Sequence, residues 1–160
     1  MSLRLAVPLT ALVALGSPIG LSSELVGSQS CRTCHARAFE IWQASPHARA
    51  GSRLGDAQMK SQSCGICHAP QLVHTPVSPR AESGVTCEAC HGAGQLYSPS
   101  YVMRDPELAR AVGLLDPGPN SCLACHRADV TLMPFDFNAK VKLIDHWTAD
   151  RAERAQSGGH

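Results

Sequence analysis

All eight cysteines of the chain fall into four copies of one pattern. They are Cys31-Arg32-Thr33-Cys34-His35, Cys64-Gly65-Ile66-Cys67-His68, Cys87-Glu88-Ala89-Cys90-His91 and Cys122-Leu123-Ala124-Cys125-His126. C-x-x-C-H is the attachment signature of c-type haem. Two thiols bond to the vinyl-derived carbons of one porphyrin, and the histidine that follows reaches the iron from the same side. Neutral imidazole is a good axial ligand for haem iron. The four copies therefore predict four covalently bound haems.

Other uses of paired cysteines fit less well. A disulfide framework does not need a histidine after each pair. With 8 histidines among 160 residues, four such followers arise by chance roughly once in 10⁵. In a Cys₄ zinc ribbon the histidine is redundant. Redox C-x-x-C motifs occur singly.

The far face of each iron draws on His47, His74, His146, His160 and the methionines. His47 follows Ser45-Pro46, which reads as a helix cap and a proline at the first helical position. His146 lies in a helical stretch over residues 138–155, capped by Asn138, but off the apolar face formed by Val141, Ile144 and Thr148. His74 is only six residues past His68, too close to wrap around that haem, so a neighbouring haem is the easier target. Met103 follows a loop and precedes a helix capped by Asp105, with Pro106 at its first position and Gly113 as its stop. A thioether ligand there raises the potential of its haem, whereas an ordinary core methionine is the bland alternative. Met59 reads as exposed and Met133 as a pocket-lining residue. His160 ends a Gly-rich terminus and is read as no ligand.

The elements that carry these residues are short. Residues 36–44 form a helix with Phe39 and Trp42, and 11 prolines with 13 glycines predict many loops. Only 4% of residues are aromatic, so large side chains are scarce, and buried porphyrin faces supply the missing apolar core. Residues 1–22 read as an export signal, with Arg4, an apolar run and small residues near a cleavage site. That run is too short to span a bilayer comfortably, since spanning takes about 20 residues. Residues 29–150 then make the haem-binding domain, and residues 151–160 a flexible tail.

Four local features resemble the tetrahaem cytochrome c-554 family: Cys31 to His35 followed by Trp42 and Ser45-Pro46-His47-Ala48-Arg49-Ala50; the Cys64 to His68 motif; Gly84-Val85-Thr86 through Gly92-Ala93-Gly94 around the third motif; and the last motif followed by Met133-Pro134-Phe135 and a His-bearing helix. The resemblance implies a mainly α, loop-rich fold organised around four closely packed haems. It implies that His47 serves a haem other than that of its own segment, the third, that His146 serves the fourth, and that the second haem can be open. The family places a distal histidine soon after the Gly-x-Gly of the third motif, and residues 95–119 here contain none. Met103 or His74 is left for the first haem.

Function follows from the cofactors. A periplasmic electron carrier between redox proteins is the leading expectation, and small-molecule redox catalysis on nitric oxide, hydroxylamine or nitrite at an open haem is the alternative. A formal charge of +1 without a basic stripe argues against nucleic-acid binding. Haem propionates would make the loaded surface acidic and favour basic partners. No stable membrane insertion is expected.

Overall fold

The computed structural model describes residues 23–76, 78–79, 81–127 and 134–156. The segment read as an export signal, Met133 and His160 lie outside them. In chain order the helices are α1 (Ser28–Arg32), α2 (Ala36–Ala44), α3 (Asp56–Met59), α4 (Gly65–His68), α5 (Pro70–His74), α6 (Cys87–His91), α7 (Ser100–Met103), α8 (Pro106–Ala111), α9 (Pro119–Leu123), α10 (Phe137–Lys140) and α11 (Trp147–Gln156), with a 3₁₀ turn at Val141–Leu143 before α11. There are no strands among the described residues, so the protein is mainly helical and loop-rich. None of its described helices is long and apolar enough to cross a membrane.

Local chemistry explains where these helices start and stop. Asp105 accepts hydrogen bonds from the Glu107 and Leu108 amides at 3.1 and 3.0 Å, Pro106 opens α8 and Gly113 closes it at φ +117, as the sequence predicts. Two expectations are corrected. Residues 46–53 form no helix: Ser45 ends α2, its hydroxyl caps nothing, and the chain runs on through i→i+3 turns such as Arg49 to Pro46 and Ala50 to His47. The helix expected over 138–155 is broken in two. Asp136, not Asn138, caps its first part by accepting from the Ala139 amide. Asp145 then takes both the amide and the hydroxyl of Thr148, at 3.0 and 2.7 Å, and starts a fresh helix. The two bonds compete with helix continuation, which leaves His146 at the break. Helix α11 ends at Gln156, next to the end expected near residue 155.

The apolar core is thin. One buried cluster joins Tyr97, Val102 and Ala109, with Met103, Val112 and Leu114 packed against it. Elsewhere the fold is held by polar locks. Helix α1 meets α6, and α11 packs on α2. Met59 is half-buried rather than exposed, its sulfur lying over Gly51.

Candidate functional site

Each attachment motif is about one helical turn. The amides of His35, His68 and His126 donate to the carbonyl of the first cysteine in their motif, at 2.8, 3.1 and 2.9 Å. The third motif is the whole of α6. Residues at i, i+3 and i+4 share one helix face, so both thiols and the imidazole of a motif emerge on one side. All eight cysteines are free of disulfides, and no group of three His, Cys, Asp or Glu side chains converges as a metal cage among the described residues.

Four of the histidines have a partner on Nδ1. His68 Nδ1 bonds the Ala50 carbonyl at 2.9 Å, His91 Nδ1 the Leu115 carbonyl at 3.2 Å, and His146 Nδ1 the Ile144 carbonyl at 3.0 Å. His35 Nδ1 meets the Asp150 carboxylate at 3.2 Å. A partner on Nδ1 fixes the tautomer and leaves Nε2 for a metal. Burial also holds His47 and His91 below the usual histidine pKa, and neighbouring His126 and His146 push the same way. Neutral imidazole is the form that binds iron.

Two pairs of histidine rings lie close together, one tilted by 54° and one edge-on at 71°. His47 and His126 have centroids 6.0 Å apart, and His91 and His146 are 6.1 Å apart. With a metal–nitrogen bond of about 2 Å, each pair would leave room for one metal ion between its rings. His47 stands beside His126 of the fourth motif and also lines, with His91, the cavity of the third, the site implied by the resemblance; His146 stands beside His91 of the third motif rather than beside the fourth. Local structure explains His47. The Val85 amide donates to the His47 carbonyl at 2.9 Å, and the Trp42 indole donates to the Val85 carbonyl at 2.8 Å. Gly84, at φ +90, lets the chain pass there, because a Cβ would lie 2.6 Å from the Ala48 oxygen. Phe135 stacks on the His126 ring at 4.6 Å.

A cavity of about 420 Å³ connects the first and third motifs and is lined by Cys31, His35, Cys87, Cys90 and His91, with Trp42, Met103 and His146 also on its wall. Its lining includes the buried Ser45, whose hydroxyl has no hydrogen-bond partner. An orphaned donor at the wall of an apolar cavity fits a cofactor with polar substituents. Met103 thus reaches the cavity shared by His35 and His91. His74 does not line it and is exposed at the end of α5.

The thiols put the motifs in a row. Cys31 and Cys87 are hydrogen-bonded; the contact pushes the Cys31 thiol up and the Cys87 thiol down to about 7. Cys90 is pushed up by burial and by Cys122. Cys125 is pushed up to about 12 by burial and by Cys67; its thiol also lies 3.9 Å from the Ile66 carbonyl. Cys34 is exposed and Cys64 half-buried. The spatial order is first, third, fourth, second.

Two carboxylates escape a reading by motif. Glu88, inside the third motif, is buried and accepts from the amides of Val26, Gly27 and Gly94 at 2.9, 2.9 and 2.7 Å. Asp150 lies one helical turn past His146, its amide donating to the His146 carbonyl. That i+4 spacing was its only signal in the sequence.

Residues 30–92 match the family model of cytochrome c554 and c-prime. No curated protein and no solved structure matches the chain. The family match covers the first three motifs, His47 and the Gly84 contact, and makes the chain similar to c-type cytochromes, which hold haem covalently and carry electrons.

Proposed function

We propose that this c554-type chain binds four haems, one on each motif, and works in the periplasm as an electron relay between redox proteins. The observation that carries the reading is the approach of two pairs of rings, His47 to His126 at 6.0 Å and His91 to His146 at 6.1 Å, each of which would leave room for one iron. Haem, when bound, supplies reversible one-electron chemistry. Cys31, Cys34, Cys64, Cys67, Cys87, Cys90, Cys122 and Cys125 would hold it covalently. His35, His68, His91 and His126 would each hold one iron from within a motif, and His47 and His146 would be the second histidines of the fourth and third sites. The nearness of successive motifs in the order first, third, fourth, second supports a continuous path along the molecule. Met103 is the ligand we assign to the first site, since it shares the His35 cavity; His74, exposed and outside that cavity, is the weaker choice.

Haem quantitation and electron paramagnetic resonance of the oxidised holoprotein test this. We expect four haems per chain. His47→Ala and His146→Ala should each convert one low-spin signal to high-spin and leave the rest. Spectra identical to the parent's would sink the pairing.

A second reading, reduction or oxidation of a small nitrogen compound at an open iron, is favoured by the second motif, where His68 is exposed. Nitric oxide added to the parent distinguishes the two: a shifted high-spin signal supports chemistry at that site, and four unchanged low-spin signals leave the relay alone.

A further inference from the structure

We propose that Asp150 is a positioning residue that lowers the redox potential of the first haem through His35. The inference rests on the reading that His35 is the axial ligand of a haem held by Cys31 and Cys34.

His68, His91 and His146 each present Nδ1 to a backbone carbonyl, which is neutral. His35 presents the same atom to a carboxylate, at 3.2 Å. A charged acceptor pulls harder on the Nδ1 proton, makes the ring a stronger donor to iron, and so favours the ferric state. Asp150 is 3% exposed. Its charge therefore acts in a medium where water screens it weakly.

The placement is structural rather than incidental. Asp150 lies on α11, which packs on α2, the helix that begins directly after His35. Its amide bonds the His146 carbonyl at 3.0 Å. The start of α11 thus brings a ring to the third motif and a carboxylate to the first. Sites one and three, adjacent through Cys31 and Cys87, are then set apart electronically although they share one cavity.

The test compares the parent holoprotein with Asp150→Asn and Asp150→Glu by peptide mapping of attached haem and by potentiometric titration. Asparagine keeps an acceptor but loses the charge. We expect haem on Cys31 and Cys34 in all three proteins, an upward shift of one midpoint potential in the Asn protein with the other three unmoved, and return of that midpoint towards the parent value in the Glu protein. Four unmoved midpoints, a downward shift, or one shift common to all four would overturn the inference. A parent with no haem on Cys31 and Cys34 overturns the parent reading and this one with it, whereas haem there with unmoved midpoints overturns this one alone. A measurement without substitution guards against a variant that does not fold. In the reduced parent, the His35 Nδ1 proton should resonate further downfield than those of His68 and His91, and matching shifts would count against the carboxylate bond.

Discussion

The second residue of the attachment motif is buried in both the second and third copies, and the two copies use it in opposite ways. In the second it is Gly65, because a Cβ there would lie 1.9 Å from the Met59 carbonyl oxygen and 2.7 Å from Val73. In the third it is Glu88, whose carboxylate gathers three amides, two of them 61 and 62 residues away in the chain. The motif fixes its two cysteines and its histidine and leaves the intervening positions to packing. One copy is folded against its own neighbourhood. The other clamps the start of the described chain to the Gly92–Gly94 turn.

If the third copy is the clamp, Glu88→Ala should have the largest effect of any change between paired cysteines. It strands three amides and removes charge-assisted bonds, at a cost of about 3–5 kcal/mol. Denaturant unfolding of the holoprotein measures it. A loss under about 1 kcal/mol would mean that water replaces the carboxylate and the clamp lies elsewhere.

Gly65→Ala should cost less, about 1–3 kcal/mol, as overpacking usually does. Its effect should also stay local. Hydrogen exchange should quicken across residues 56–74 and hold steady around Val26 and Gly94. Exchange that quickens at both places would show that the two copies unfold together and that the contrast between them is only one of sequence distance.

What could be read from the sequence divides along the same line. Helix α2 and the Asp105–Pro106 start of α8 rest on signals within a few residues, and they stand where expected. The break at Asp145 is also local, but Thr148 was taken for part of an apolar face when its hydroxyl is a capping partner. Spacing alone puts the cysteines and histidine of each motif on about one helical turn, and that turn is where expected. Which ring lies beside which was not legible, because the pairing depends on how the chain returns on itself at Gly84 and Val85. Glu88 and Asp150 were missed for the same reason: their partners, Val26 and His35, are set by tertiary structure. The Trp42 and Gly84-Val85 features that carried the family resemblance as separate strings turn out to be two sides of one contact.

That contact gives the smallest effect we expect. Trp42 donates to the Val85 carbonyl at 2.8 Å, and its ring meets Phe39 with centroids 5.3 Å apart. Trp42→Phe keeps an aromatic ring beside Phe39 and removes the donor, so the loss should be about 1 kcal/mol, the worth of one hydrogen bond to a carbonyl that water can partly serve. The specific consequence should appear at His47. The Val85 amide holds the His47 carbonyl, and loosening Val85 loosens the ring opposite His126. We expect a modest fall in unfolding midpoint and a broadened low-spin resonance for the site containing His47 and His126, with the His91 and His146 site unchanged. A loss as large as that from Glu88→Ala would break the comparison, since the third motif would then be held as much by the indole as by its own carboxylate. An unaltered resonance would show instead that Gly84, by letting the two backbones meet, is sufficient to position His47 without the indole.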